Sequence, residues 1–238
     1  MIQCLNCGNT FDGAYCNACG QKASTHRFSV KHVLHDLPHS VWHLDRGVVK
    51  NLRGMLNPRR TVQDYIDGKR VGFFNPFFFW LLTIGLIIFV ESKLEKHINL
   101  GLTLEVDGNL YDVGIILERY VNYYFFVFVF LYALPNLWLL RRNTGYNYAE
   151  NVVATTFVMG YANVGYLLLL PFPPVFGYPA SGYYLALVVL FSVLVFFRRN
   201  NWWTLFKIAL SLVIQVLLVL VANILIGYAY AYYRWLTD

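Results

Sequence analysis

Five long apolar stretches follow Asn75, and a chain that carries five of them has few ways to fold in water. A membrane-spanning helix needs about 20 mostly apolar residues. The stretches run from Phe73 to Val90, from Val121 to Leu140, from Val152 to Leu170, from Tyr183 to Phe197 and from Leu205 to Tyr228. Polar residues or prolines stop the first four: Glu91, Arg141, Pro171 and Arg198. Each is apolar all round, the pattern of a membrane span or a deeply buried helix, and five in one short chain favour the membrane. Asn75 and Pro76 predict the start of the first, as a cap and a first-turn proline. Composition agrees, since only 13% of the 238 residues are charged, against roughly 25% in soluble domains.

Lysine and arginine counts in the connecting segments predict orientation. Residues 1–75 hold ten basic residues, Arg141 and Arg142 follow the second stretch, and Arg198 and Arg199 follow the fourth. On the opposite side, residues 91–120 hold three basic and six acidic residues, and the segment from Pro171 to Gly182 holds none of either. An odd number of spans therefore puts the N-terminus inside and the C-terminus outside. Trp202 and Trp203 fall at the inner boundary, and Tyr228, Tyr230, Tyr232, Tyr233 and Trp235 at the outer one. The outer segment around Pro171, Pro173, Pro174 and Pro179 is stiff and apolar, fit to lie on the bilayer or a partner. Between the first two spans, alternation around Asp107-Gly108-Asn109 predicts a small β-hairpin. The start of the chain has no basic flank and no apolar core, so it does not read as a secretory signal.

All four cysteines lie within the first 20 residues, as Cys4-x2-Cys7 and Cys16-x2-Cys19. Tandem CxxC pairs suit tetrahedral zinc, because each pair offers two thiolates from one tight turn. Gly8 and Gly20 follow the pairs, where such a knuckle wants a residue without a Cβ. Two disulfides are the alternative and require an oxidising compartment, whereas a cytoplasmic end stays reduced. One structural Zn²⁺ on Cys4, Cys7, Cys16 and Cys19 is the expectation, and it supplies most of the folding energy of so small a unit.

Between ribbon and membrane, Ser29 to Leu56 reads as an amphipathic helix interrupted at Pro38. Val30, Val33, Leu37, Val41, Leu44, Val48, Leu52 and Met55 form one stripe, and His32, His35, His39 and His43 the opposite face. The stripe predicts docking on the membrane domain or in the headgroup layer. The histidine row reads as a solvated face or, by its three- and four-residue spacing, as a second metal site. Asn57-Pro58 reads as a helix stop, and Thr61 to Asp67 as one or two helical turns capped by Gly68. Arg59, Arg60, Lys69 and Arg70 are candidate contacts for anionic lipid or a partner.

The start Cys4-x2-Cys7-Gly8, Phe11, Tyr15-Cys16-x2-Cys19-Gly20-Gln21-Lys22 resembles the bacterial membrane family called domain of unknown function 3667. So does the stretch Asn57-Pro58-Arg59-Arg60-Thr61, Tyr65-Ile66-x-Gly68-Lys69-Arg70 and Asn75-Pro76. The resemblance covers roughly the first 90 residues. It implies a zinc ribbon on a multi-span helical domain, similar in layout to Yip1-like membrane proteins, and implies no activity.

The expected fold is thus an all-α integral membrane bundle of about five transmembrane helices, with an N-terminal zinc ribbon at 1–24, juxtamembrane helices at 25–72 and the spans at 73–238. The expected place is the bacterial cytoplasmic membrane. No phosphate loop, nucleophile elbow or dinucleotide turn occurs. The apolar stretches contain no Asp, Glu, Arg or His, which argues against proton relays. Their polar residues are neutral: Asn136, Thr155, Thr156, Asn163, Ser211, Gln215 and Asn223. They read as interhelical hydrogen bonds, with Ser211 and Gln215 on one face as a polar seam. The expectation is a non-enzymatic accessory or scaffold subunit that binds membrane lipids and other membrane subunits. The alternative is a small permease, channel or lipid-handling protein with a neutral pathway lined by Asn136, Asn163, Gln215 or Asn223. Met1 to Gly20 has no basic residue, which argues against nucleic acid.

Overall fold

The computed structural model describes residues 1–25, 27–28, 44–93, 103–106, 109–170, 180–197 and 202–237. The histidine row, Pro38, the stripe residues Val30, Val33, Leu37 and Val41, the outer segment 171–179 and Arg198 and Arg199 lie outside these. Most of the described residues are helical. Strands β1 (Ile2–Gln3) and β2 (Thr10–Phe11) pair antiparallel in the ribbon, with Ile2 opposite Phe11. Two short helices follow, α1 (Leu44–Gly54) and α2 (Pro58–Ile66). Five longer ones occupy the five apolar stretches: α3 (Pro76–Lys93), α4 (Val113–Thr144), α5 (Tyr148–Leu169), α6 (Ala180–Phe196) and α7 (Trp202–Thr237). Between α3 and α4, β3 (Thr103–Val106) and β4 (Asn109–Asp112) pair antiparallel with Val106 opposite Asn109, the hairpin that the alternation predicts.

Local chemistry fixes three of the helix starts, of which only that of α3 is expected. The Asn75 side chain accepts from the Phe77 N–H at 2.9 Å ahead of Pro76. Asn147 and Glu150 form a reciprocal capping box at the start of α5, satisfying two donors that an uncapped helix leaves orphaned. Asn57 both ends the turn after α1 and caps α2, with Pro58 in the first position.

Helix α5 is the hub. Nearly every side chain from Ala149 to Ala162 is buried, against α3, α4 and α6. Thr83 of α3 meets Asn163, and Phe79 meets Gly160, so α3 and α5 run parallel. Asn136 of α4 meets Thr155, and Tyr148 reaches the Phe130 carbonyl, so α4 packs across the first two turns of α5. Tyr184 meets Asn163 while Phe191 packs on Tyr161, so α6 runs antiparallel to α5. Asn143 bonds Thr204 while Asn136 accepts from Ser211, so α7 runs antiparallel to α4. Helices α3 and α5 thus share a direction opposite to that of α6. Two helices, Tyr148–Leu169 and Trp202–Ala229, are long and apolar enough to cross a membrane, and Pro76–Glu91 and Tyr183–Phe196 are shorter apolar helices.

Two expectations need correction. The helices outrun the apolar stretches, so α3 takes in Glu91 and α5 takes in Glu150, both buried. The Tyr166 hydroxyl donates to Glu91 at 2.8 Å, and the cap and an arginine satisfy Glu150. The second correction concerns α1. Val48 and Met55 pack on the core, but Leu52 is exposed, and Asn51 and Gly47 face inward instead. Asn51 donates to the Phe74 carbonyl at 3.0 Å, and a Cβ on Gly47 would lie 2.6 Å from the Phe74 nitrogen. Backbone approach and hydrogen bonds from Asn51 to the Phe74 carbonyl and from Lys50 to the Val71 carbonyl dock this helix, where periodicity alone predicts an aliphatic stripe.

Candidate metal centre

Each cysteine pair folds into the same turn. The Gly8 N–H donates to the Cys4 carbonyl at 2.9 Å, and the Gly20 N–H to the Cys16 carbonyl at 2.8 Å. The Cys4 and Cys16 N–H groups in turn donate to Asn9 and Gln21 carbonyls at 2.9 and 2.8 Å. Gly8 and Gly20 hold φ near +76° and +77°, a region that costs any side chain with a Cβ about 1–2 kcal/mol. The two turns face each other, and the four sulfur atoms lie within 4.8 Å of one another. Cys4 Sγ is 3.5 Å from Cys19 Sγ, and Cys7 Sγ is 3.7 Å from Cys16 Sγ. A tetrahedral Zn²⁺ with bonds of about 2.3 Å spaces its sulfurs about 3.8 Å apart, so the donor set fits the metal.

The thiols share charge unevenly. Burial pushes Cys16 up, but backbone N–H groups of Ala18 and Cys19 and the neighbouring thiols outweigh it and bring it down to about 6. At Cys7 a backbone bond from Asn9 lowers the value, yet burial and the three other thiols raise it to about 12. Four adjacent thiolates repel one another, and only a cation removes that penalty.

Among the described residues, Gln21, Leu5 and Arg27 join the ribbon to the helical body. The buried Gln21 side chain donates to the Gly68 carbonyl at 2.8 Å, just past α2. Leu5 lies over Gly68, whose φ of +100° ends the helix and whose missing Cβ leaves room, since one would meet Leu5 at 2.8 Å. Arg27 closes the third contact. Its guanidinium donates to both oxygens of Glu150, at 2.6 and 2.9 Å, and to the Gly145 carbonyl at 2.9 Å. Glu150 is 3% exposed and Arg27 64%, so a surface cation neutralises an interior anion. Between these contacts lies a cavity of about 320 Å³ lined by Thr25, Arg27, Asp67, Gly145 and Glu150 among others. Phe28 follows, with its carbonyl accepting from Asn147 at 3.0 Å and its ring stacked on Tyr65 at 5.6 Å.

The four candidate basic residues separate. Arg70 lies over the Phe28 ring at 3.7 Å, part of the joint. Lys69 pairs with Asp64 at 2.7 Å, and Arg60 reaches the same carboxylate at 3.8 Å while staying 78% exposed. Arg59 is half-buried on α2. The polar seam does form: Ser211 and Gln215 both donate to Asn136 Oδ1, at 2.6 and 3.2 Å, while Asn136 donates to Thr155 at 3.1 Å. Gln215 also donates to the Tyr132 carbonyl at 3.0 Å, beside the ladder gap that Pro135 opens inside α4, as a proline lacks the N–H.

Residues 45–88 match the family described as Protein of unknown function (DUF3667). The DUF3667 match takes in α1, α2 and most of α3, including the stretch from Asn57 to Pro76; the ribbon lies outside it. No curated protein and no solved structure matches the chain. The parts that sequence reasoning missed are Arg27, Phe28 and Glu150. Asn147-x-x-Glu150 carries a legible capping signature, but nothing in the sequence ties it to an arginine 123 positions earlier.

Proposed function

We propose that this chain is a non-enzymatic accessory or scaffold subunit of the bacterial cytoplasmic membrane. Its five long helices all cross, with the N-terminus inside and the C-terminus outside, and its ribbon holds one structural zinc. The observation that carries this reading is the three-point joint of Gln21, Leu5 and Arg27, which fixes the ribbon on the body instead of leaving it on a free tether. A fixed ribbon offers a partner one composite surface of ribbon and helices. Four sulfur ligands would close the metal's coordination shell and leave no position for substrate. The opposite directions of α5 and α6 support successive crossings. Asn136, Asn163 and Gln215, which a neutral pathway needs along its wall, are instead bonded to neighbouring side chains, which favours the scaffold over a permease.

The test is purification of the full chain from native membranes in mild detergent. Defined membrane subunits in constant ratio to the chain are expected, lost when Cys4 and Cys16 are changed to Ser. A chain that purifies alone and conducts a neutral solute in proteoliposomes would replace this reading with the permease one. Reporter fusions after Asp238 and within residues 94–112 should both read external; an internal C-terminus overturns the five-span topology.

A further inference from the structure

The two helices within the family match do not lie flat beneath the bundle. Helix α2 runs antiparallel to α5. Its C-terminal end, at Ile66 and Gly68, shares the cavity with Glu150 in the first turn of α5. Tyr65 then meets Phe157 edge-on at 5.4 Å. At the other end of the hairpin, the Tyr161 hydroxyl and Thr61 crowd Gly54, where a Cβ would lie 2.8 Å from the one and 2.6 Å from the other. Glu150 and Tyr161 are separated by about 16 Å of helix axis, at 1.5 Å per residue.

The inner edge of the bundle is marked independently. Trp138, Trp202 and Trp203 are exposed rings near Arg141, Arg142 and Lys207, the aromatic and basic signature of an interface. The contact of Phe79 with Gly160 sets Pro76, the first residue of α3, beside the α5 residues near Phe157. The α1–α2 turn, beside Tyr161, thus stands about 6 Å beyond the start of α3, four residues at 1.5 Å each.

That turn is built for a place without water. The Met55, Leu56 and Asn57 N–H groups donate to the Leu52, Arg53 and Gly54 carbonyls at 3.1, 3.1 and 3.0 Å. Thr61 Oγ1 donates to the Gly54 carbonyl at 3.2 Å, and Asn57 caps α2. Non-helical backbone at membrane depth is tolerated only when its polar groups are satisfied. Yet the outer face of the hairpin is uncovered among the described residues: Leu56 is 90% exposed, and Val49 and Leu52 are exposed beside it. Arg53 and Arg60 are exposed on the same hairpin.

We propose that α1 and α2 form a re-entrant hairpin whose outer face binds an anionic phospholipid of the cytoplasmic leaflet. Val49, Leu52 and Leu56 meet acyl chains, and Arg53 and Arg60 take the phosphate. The pairing follows from depth. Exposed leucines above the interface are covered by hydrocarbon, while a guanidinium there needs an anion within reach of its flexible stem. Lipid phosphate is the anion at that level, and it matches the planar fork of arginine. Asp64 holds Arg60 only loosely, at 3.8 Å.

This inference rests on the membrane reading of the helices, and its test separates the two. A photo-crosslinking residue is placed at Leu56, and in a control chain at Leu217, exposed on α7. Both full-length chains go into nanodiscs of phosphatidylglycerol and phosphatidylcholine. Lipid adducts at both positions are expected. Lipid at position 217 with none at 56, or an adduct from 56 to residues 29–43, overturns the hairpin proposal alone; no lipid at either position overturns the membrane reading as well. In native mass spectra, R53Q/R60Q should lower retained phosphatidylglycerol about five- to tenfold, with phosphatidylcholine and the melting temperature unchanged. Equal retention of the anionic lipid would overturn the phosphate assignment.

Discussion

The ribbon buries only Cys4, Phe11 and Cys16 as a cluster of its own, whereas the helical body buries a continuous core that extends from Phe28 to Ile208. The two regions are therefore stable for different reasons. In the body, aromatic and aliphatic side chains interdigitate around α5, and hydrogen bonds between helices close the remaining polar groups. In the ribbon, a few backbone bonds position four sulfurs that repel one another once ionised. Its fold needs a cation in a way that the body does not. Each half can lose its order without the other, and the joint at Gln21 and Arg27 transmits that loss to the composite surface.

Metal removal is the sharpest way to break this contrast. Chelation, or Cys4→Ser with Cys16→Ser, should abolish amide-exchange protection over residues 2–25 while the melting temperature of the body in detergent stays put. Acid should do the same. The Cys16 thiol sits below its usual value, so its thiolate is present above about pH 6 and is lost as pH falls through that point. Cys7, raised to about 12, must shed its proton to bind metal, so zinc uptake at pH 7 should acidify an unbuffered solution. Zinc that survives titration to pH 4, or a body that melts with the ribbon, would remove the distinction.

Gly160→Leu tests the other half. Its Cβ would meet Phe79 at 2.7 Å where α3 packs on α5, and overpacking of this kind costs about 1–3 kcal/mol. The body should melt earlier and the zinc content should not change. Asn136→Leu, which strips the seam of its shared acceptor, should cost about 1 kcal/mol in the same assay.

Effects at the joint should be local. Gln21→Ala leaves the buried Gly68 carbonyl without its partner, a loss of about 1 kcal/mol. It should show as faster proteolysis near Thr25, with both zinc and body stability retained. Lys69→Ala removes an exposed ion pair with Asp64 and should change stability by no more than about 0.5 kcal/mol. A larger effect there would mean that the pair belongs to the joint.

The cysteine spacing, the glycines after each pair, the cap at Asn75, the β3–β4 hairpin and the places of the five long helices were all determined by the sequence alone. Each rests on neighbours within a few residues or on a run of apolar side chains, so local chemistry suffices. Which way a helix faces is another matter. Both α5 and α7 are apolar and long enough to span, α7 being the more apolar, yet 78% of the α5 window is buried inside the molecule and 18% of the α7 window. A helix that is apolar all round has no preferred face, so only the packing partners choose it. The same holds for Asn51 turning inward while Leu52 turns out, because docking there depends on a backbone carbonyl at Phe74. It holds most of all for Arg27 and Glu150. A buried carboxylate needs a counter-ion, but only the folded chain brings that counter-ion from the far end of the sequence.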